Sequence, residues 1–240
     1  SKTLNRQEAL QDADFVVNTA TGTDEYMMRA ERELADARGY YYGHTGLPYS
    51  LTGNIQLMLS IAQDMERICP DAWIVQAGNP VFDGTTAVTR ETSIKMVGLC
   101  HGHYGYRGIA QVLGLDPDKI TWQAPGLNHN IWLTDFYYEG QDAYPLIDQW
   151  IAERAEQFWA EKQQSEHGIP TQMSPAAIHQ YHMYGLMPIG DTPRRGGWWY
   201  HAGAEARLRW YGKPIGGGDT PEGRNRIIES KEKKFADITK

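Results

Sequence analysis

Short apolar runs alternate with helical patterns through the first half of the chain. The runs end in polar residues or glycine and predict strands at residues 14–17, 72–75, 95–99 and 120–123. The segments between them have the composition or the apolar spacing of helices, and they cover residues 24–38, 54–68 and 104–115. Strands separated by helices predict βαβ units and a parallel sheet.

The second half of the chain has a different pattern. Residues 131–138 alternate between apolar and polar side chains, which predicts an antiparallel extension. Residues 144–162 predict one long helix, and Ser174 followed by Pro175 predicts the N-cap and first turn of another. Gly216–Gly218 neither follows a predicted strand nor opens a helix, so it predicts a loop rather than a phosphate cradle. The whole pattern predicts an α/β fold.

Charge and cysteine content exclude several classes of protein. The 240 residues carry a net charge of -7, and the only dense basic stretch, residues 231–234, lies in a charged tail that predicts a solvated helix face. A nucleic-acid-binding domain would need a clustered basic face, and a membrane span would need a longer apolar run than any in the chain. Two cysteines form no disulfide framework. We expect a cytoplasmic protein with neither nucleic acid nor membrane as a partner.

Polar residues follow the predicted parallel strands. Asn18 and Thr19 follow the first, Asn79 follows the second, and Cys100 and His101 follow the third. In parallel sheets, ligands bind beyond the carboxyl ends of the strands. These positions therefore predict an active site along one edge of the sheet.

A thiol and a histidine also follow two successive apolar runs. They are Cys100, within Gly98–His103, and His129, at the end of Gly126–His129. A thiolate and an imidazole can hold a divalent transition metal and leave positions open for substrate oxygens. The alternative is a buried free thiol beside histidines of the core.

Taken together, these segments resemble glycoside hydrolase family 4, the NAD- and metal-dependent glycosidases, and most of all its branch of bacterial α-glucosidases and α-glucuronidases. The resembling segments follow the family's order and are residues 13–20, 77–82, 98–104, 126–129, 174–177 and 184–192. The resemblance implies a Rossmann-like, dinucleotide-binding part in residues 1–124. It implies a mixed α+β part that binds substrate and metal in residues 125–240.

The resemblance implies hydrolysis of a small-molecule α-glycoside without the carboxylate pair that most glycosidases use. In this family, bound NAD⁺ takes a hydride from C3 of the sugar, and the resulting ketone acidifies the C2 proton. A base removes that proton while the metal stabilises the enediolate oxygens, and the glycosidic oxygen leaves by elimination. Water then adds, and NADH returns the hydride.

The motif match assigns the cofactor contacts. Cys100 and His129 would be the metal ligands, and the expected ion is Mn²⁺. Asn18 and Thr19 would lie against NAD, and Asn79 would contact both the cofactor and the sugar.

The match also assigns the groups that act on the sugar. His101 would contact sugar hydroxyls, Asp191 would be the base at C2, and Arg194 would bind a sugar hydroxyl or carboxylate. Asp191 could instead be a helix cap, and Arg194 a surface charge. If Asp191 is not the base, the candidates are Tyr181, Tyr184 and Tyr200.

The sequence departs from the family in three places. It contains no G-x-G-x-x-G, so we expect the family's first strand and Gly-rich loop to precede Ser1. We expect part of the C-terminal helical region to follow Lys240. Residues 43–54, including His44 and Thr45, hold no carboxylate where the family has the Asp proposed to protonate the leaving group.

Several alternatives remain open at this stage. The same mechanism would serve an α-glucuronidase or α-galacturonidase. A different class would be an NAD-dependent 2-hydroxy-acid dehydrogenase, and a third would be a non-catalytic sugar-binding fragment. We also expect a homodimer or a homotetramer.

Overall fold

The computed structural model describes residues 2–38, 48–163, 169–195, 198–201, 204–212 and 221–238. The chain folds as two compact units, one of residues 1–100 with 224–240 and one of residues 101–223. His44, Thr45 and the predicted loop Gly216–Gly218 lie outside the described residues.

The described elements follow the chain from a short first helix to a long last one. The strands are β1 (Phe15–Asn18), β2 (Trp73–Gln76), β3 (Lys95–Gly98), β4 (Ile120–Gln123), β5 (Gly126–Leu127), β6 (Asn130–Leu133), β7 (Asp135–Tyr138), β8 (Gln141–Asp142) and β9 (Met187–Ile189). The helices are α1 (Arg6–Ala9), α2 (Glu25–Ala37), α3 (Pro48–Ile68), α4 (Val81–Glu91), α5 (Tyr106–Leu113), α6 (Tyr144–Glu153), α7 (Ala155–Gln163), α8 (Pro175–Tyr184), α9 (Thr192–Arg195), α10 (Ala204–Tyr211) and α11 (Pro221–Ile238).

The first unit contains the predicted parallel sheet. Its strand order is β1-β2-β3, and both strand pairs are parallel. Helices α2 and α3 connect β1 to β2, and α4 connects β2 to β3. The core consists mainly of apolar side chains from α3, β2 and α4, among them Met58, Ala62, Met65, Ile74 and Val88. The prediction of βαβ units is confirmed for these three strands.

The second unit contains two antiparallel sheets, β4-β7-β8 and β5-β6-β9. Strand β4, predicted as a further parallel strand, pairs with β7 instead, so that part of the prediction was wrong. The reason is packing, because Ile120 and Trp122 of β4 lie against the same core as Phe136 of β7. The antiparallel extension predicted over residues 131–138 is confirmed as β6 and β7.

The division by packing differs from the predicted division between residues 124 and 125. The two compact units meet in sequence between Cys100 and His101. Helix α5 and strand β4, which the sequence prediction assigns to residues 1–124, pack in the second unit through Tyr106, Ile109 and Ile120.

One helix predicted in the second unit is divided in the structure. The segment 144–162 forms two helices, α6 and α7, which are separated at Arg154 rather than continuous. Both bury side chains in one core, Ile147 and Trp150 from α6 and Ala155 from α7. The Ser174 cap is confirmed, since its hydroxyl accepts a hydrogen bond from the Ala177 N–H at 3.2 Å.

The C-terminal helix is polar, as its sequence predicts. Residues 231–234 of α11 are exposed to solvent. Among the described residues, no helix combines the length and the apolar character needed to cross a membrane.

Gly190 has a backbone that only glycine fits well. Its φ is +63°, and a Cβ there would lie 2.6 Å from the Gly102 Cα. Gly185 provides a matched control, because its φ is +72° but no atom lies within 4 Å of an added Cβ. The two positions thus share the strain of left-handed backbone and differ in steric overlap.

We predict that Gly185→Ala costs about 1–2 kcal/mol of unfolding free energy, from the left-handed backbone alone. Gly190→Ala should cost about 1–3 kcal/mol more, because the close contact with Gly102 must also open. Urea denaturation of both variants measures the difference. Equal losses would show that the Gly102 segment yields without cost.

Candidate active site

The carboxyl edge of the parallel sheet lies in the first unit. The register aligns Asn18 with Gln76 and Gln76 with Gly98, at the last residue of each strand. Thr19, Asn79 and Cys100 follow these strand ends. The shared edge is therefore confirmed for Asn18, Thr19, Asn79 and Cys100, and their roles stay predictions. His101, predicted for the same edge, belongs to the second unit instead.

Asn18 and Gln76 join the ends of β1 and β2. Both are buried, and the Asn18 Nδ2 donates to the Gln76 Oε1 at 2.8 Å. The Asn18 Oδ1 accepts from the Ala20 N–H at 3.1 Å, while the Gln76 Nε2 donates to the Gly78 carbonyl at 2.6 Å. These bonds fix the turns that follow both strands. Sequence reasoning missed Gln76, although a glutamine closing an apolar run was a usable signal.

Thr19 and Asn79 are the exposed members of this edge. Asn79 precedes Pro80 through a cis peptide bond, and Pro80 is the N-cap of α4. At Gly78, an added Cβ would lie 2.9 Å from the Ala20 carbonyl oxygen. The turns after β1 and β2 therefore approach closely, and Thr19 and Asn79 face solvent beside that approach.

Cys100 is a partly exposed thiol just after β3 and forms no disulfide. The N–H of Leu99, the residue before Cys100, donates to the Gln76 carbonyl at 2.9 Å and so anchors the backbone there. Cys69 forms no disulfide either, but it is buried, and burial raises the pKa of its thiol. The alternative of a buried core thiol thus describes Cys69 better than Cys100.

In the second unit, His129 and Asp191 lie at the same end of one strand pair. Strands β6 and β9 are antiparallel with Ile131 opposite Ile189, so the start of β6 lies beside the end of β9. His129 precedes β6, and Asp191 follows β9 by two residues. The His129 Nε2 lies 3.4 Å from the Asp191 Oδ2.

Arg194 completes this group. Its Nη2 forms an ion pair with the Asp191 Oδ1, and its backbone N–H donates to the Asp191 carbonyl at 3.0 Å. The Arg194 side chain is 15% exposed and that of Asp191 is 18% exposed. Arg194 is thus no ordinary surface charge, and the Asp191 carboxylate has a neighbour on each oxygen.

Thr192 ties the Asp191 turn to β6. Its hydroxyl accepts from the Ile131 N–H at 2.8 Å and donates to the Ile131 carbonyl at 3.0 Å. His101 lies in a neighbouring segment, where it opens a 3-10 turn over His101–Gly105 and is exposed. The closeness of Gly102 to Gly190 places that turn alongside the Asp191 turn.

The tyrosines offered as alternative bases differ in their surroundings. The Tyr181 hydroxyl donates to the Asp148 Oδ1 at 2.8 Å, and burial, reinforced by that carboxylate, raises the pKa of Tyr181 well above its usual range. Tyr200 is fully buried, and burial raises its pKa too. A tyrosine accepts a proton only as its phenolate, so these raised pKa values disfavour Tyr181 and Tyr200 as bases.

The predicted residues therefore form two groups. Asn18, Thr19, Asn79 and Cys100 share the sheet edge of the first unit; His129, Asp191 and Arg194 are in contact in the second unit. The two predicted metal ligands, Cys100 and His129, belong to different units. Within the described ranges, no three or more His, Cys, Asp or Glu side chains group as a metal site.

Two sequence profiles match this chain. The profile described as Family 4 glycosyl hydrolase matches residues 1–115, and that of the Family 4 glycosyl hydrolase C-terminal domain matches residues 124–237.

An α-galactosidase of Bacillus subtilis (strain 168) is 32% identical over 171 residues, which cover 68% of this chain and 38% of that protein. A 6-phospho-β-glucosidase of Escherichia coli (strain K12) is 32% identical over 154 residues, which cover 61% of this chain and 34% of that protein.

A solved structure has the same fold. The 6-phospho-α-glucosidase from gut microorganisms in complex with NAD and Mn²⁺ superimposes with a TM-score of 0.71 at 18% identity. The superposition covers 98% of this chain and 52% of that one. This chain thus spans less than two fifths of the two relatives' length and about half of the solved structure. Since both profiles of one family match, and together they span nearly the whole chain, the chain belongs to the family 4 glycosyl hydrolases.

Proposed function

We propose that this chain is part of a glycosidase that hydrolyses α-glycosides with NAD⁺ and Mn²⁺ as cofactors. The observation that carries the proposal is the contact of the Asp191 carboxylate with both His129 and Arg194. A guanidinium beside a carboxylate favours its ionised form and orients it. That is the state in which a general base accepts a proton. The similarity to the α-galactosidase and to the structure with NAD and Mn²⁺ supports the same reading.

The donor groups fit a divalent transition metal. The Cys100 thiol is partly exposed, and the His129 ring is 26% exposed at the end of a strand. A thiolate and an imidazole are suitable ligands, and two protein ligands leave positions for sugar oxygens. These two residues would hold Mn²⁺. Because the thiol must stay reduced to bind a metal, we place the enzyme in the cytoplasm.

The edge of the parallel sheet fits a dinucleotide. Ligands of α/β sheets bind beyond the carboxyl ends of the strands. The exposed Thr19 and Asn79 would contact NAD there. Asn18 is 5% exposed, and its side-chain bonds run to Gln76 and to the Ala20 N–H. We therefore give Asn18 the role of holding the shape of that edge.

When bound, NAD⁺ supplies a hydride acceptor at C3 of the sugar and Mn²⁺ supplies a Lewis acid near O2 and O3, which together acidify the C2 proton. Asp191 accepts that proton, and the glycosidic oxygen can then leave by elimination. Arg194 holds one oxygen of the Asp191 carboxylate, so that the other is directed toward the His129 side. His101 and Asn79 would bind sugar hydroxyls.

The Arg194 contact favours a neutral sugar over a uronide. A uronide needs a cation for its carboxylate, and Arg194 is the residue that the family match places at the sugar. Its guanidinium instead pairs with Asp191 in a largely buried position. The Cys-His-Gly-His form of residues 100–103 also resembles the branch that acts on unphosphorylated α-glucosides. We therefore propose an α-glucoside as substrate, with a uronide as the alternative.

We predict that Cys100→Ser and His129→Ala lose metal-dependent hydrolysis and Mn²⁺ binding while the fold is retained. A thiol reagent should also inactivate the protein through Cys100, which is more accessible than the buried Cys69. Cys69→Ala is the matched control and should keep both activity and Mn²⁺ binding. Activity of Cys100→Ser in the presence of a chelator would overturn the metal assignment.

Hydrolysis in heavy water should place deuterium at C2 of the released sugar. The C2 proton leaves to Asp191 and is replaced from solvent, whereas direct displacement at C1 leaves C2 untouched. NMR of the product measures the exchange. Hydrolysis that proceeds without deuterium at C2 would exclude the elimination route.

Asp191→Asn should lower kcat by roughly 10²–10⁴-fold, the contribution typical of a positioned base. The Michaelis constant should change much less, because the amide keeps the shape of the carboxylate and the other sugar contacts remain. Steady-state kinetics measure both constants. A kcat within a few-fold of the wild-type value would leave Asp191 a structural partner of Arg194, and Tyr184 would become the next candidate.

A further inference from the structure

Two glutamines of the second unit bracket the Asp191 turn. The Gln172 Nε2 donates to the Gly190 carbonyl at 2.8 Å, one residue before Asp191. The Gln180 Nε2 donates to the Pro193 carbonyl at 2.9 Å, two residues after it. The turn that carries the proposed base is thus held from both sides by side-chain amides from separate elements.

The Oε1 atom of each amide has no hydrogen-bond donor among the described residues. The Oε1 atoms of Gln172 and Gln180 are buried and accept no hydrogen bond from the described part of the chain. Gln180 is fully buried as a residue. A buried acceptor without a partner lowers the stability of a fold, so these glutamines are poor choices for stability alone. What both provide is an N–H directed at a carbonyl of the Asp191 turn, and the Gln180 amide also hydrogen-bonds the Tyr200 side chain.

Other contacts at the same two carbonyls agree with this arrangement. The Tyr211 hydroxyl also donates to the Pro193 carbonyl, at 2.9 Å. Gln172 lies against the His101–Gly105 turn, since a Cβ on Gly105 would be 3.1 Å from the Gln172 Oε1 and 2.4 Å from the Gly190 N. Gln172 therefore links the segment after Cys100 to the Asp191 turn.

We propose that Gln172 and Gln180 are positioning residues that set the place of the Asp191 carboxylate through the Gly190 and Pro193 carbonyls. This proposal rests on the proposed function, because it gives the two glutamines a part in proton transfer by Asp191. Proton transfer requires the base within hydrogen-bond distance of the proton, so a small displacement of the turn reduces the rate.

The test uses Gln172→Leu and Gln180→Leu, which keep the approximate volume and remove the amide. Each should lower kcat by about 10- to 100-fold with little change in the Michaelis constant, as expected for a misplaced catalytic group. The melting temperature of Gln180→Leu should change little, because an unpaired acceptor is removed and the Tyr211 hydroxyl still donates to the Pro193 carbonyl. That of Gln172→Leu should fall by less than its kcat effect would require of a folding defect, because only the donor to the Gly190 carbonyl is lost. A fall in melting temperature with unchanged kcat would show a purely structural role and overturn the proposal.

Two further variants control for packing. Trp159→Phe removes a comparable side-chain bond in the same unit, from the indole N–H to the Met173 carbonyl at 2.7 Å, and should leave kcat unchanged. Tyr211→Phe removes a single oxygen from the Pro193 carbonyl contact. Its kcat should fall as well, but less than that of Gln180→Leu. This variant keeps the test available if Gln180→Leu does not fold.

A double mutant separates action through Asp191 from any other effect. If Gln180 acts only by positioning Asp191, Asp191→Asn combined with Gln180→Leu should have the kcat of Asp191→Asn alone within about twofold, since the two effects are not additive. If the kcat of the double mutant instead falls by the product of the two single-mutant reductions, the proposal is overturned.

Absence of glycosidase activity in the wild-type protein would refute the proposed function but still allow this test. Hydrogen exchange of residues 188–195 should be faster in both glutamine variants than in wild type or Trp159→Phe. Unchanged exchange there would overturn the positioning role.

Discussion

Strands β6 and β9 pair antiparallel with Ile131 opposite Ile189, and the contacts among the candidate site residues of the second unit depend on this register. The pairing sets the residue before β6 beside the residues after β9, which is why His129 meets Asp191. A slip by one residue would turn the side chains of Leu133 and Ile189, both fully buried, away from the core. Burial of the core therefore determines where the imidazole and carboxylate meet.

In both groups of candidate residues, side-chain amides hold turns that carry members of the group. At the sheet edge of the first unit, the buried amides of Asn18 and Gln76 hold the turns that expose Thr19 and Asn79. In the second unit, side-chain amides hold the turn that carries Asp191. In each case a buried polar side chain satisfies a turn carbonyl, and the neighbouring residues are left to contact a ligand. Backbone carbonyls outside regular structure need such partners when they are buried.

Two opposing effects act on the charge of the Asp191 carboxylate. The carboxylate is largely buried, and burial alone would disfavour its ionised form. The Arg194 guanidinium opposes that effect by pairing with one oxygen. The fully buried Tyr200, whose pKa burial raises, lies instead against the rings of His179, Trp210 and Tyr211. Asp191 and Tyr200 thus differ in their described surroundings, a guanidinium beside the first and aromatic rings around the second.

The sequence by itself determined the three parallel strands, the edge that carries Asn18, Asn79 and Cys100, the Ser174 cap and the family, because these follow from local apolar runs, capping chemistry and motif order. It did not determine that β4 pairs with β7, nor that residues 144–162 break at Arg154, where no Gly or Pro marks the break. Those outcomes depend on which core each side chain reaches. Only the tertiary structure decided that His129 meets Asp191 and that two glutamines hold the Asp191 turn, since contacts between distant segments depend on the packing of the whole unit and leave no local pattern.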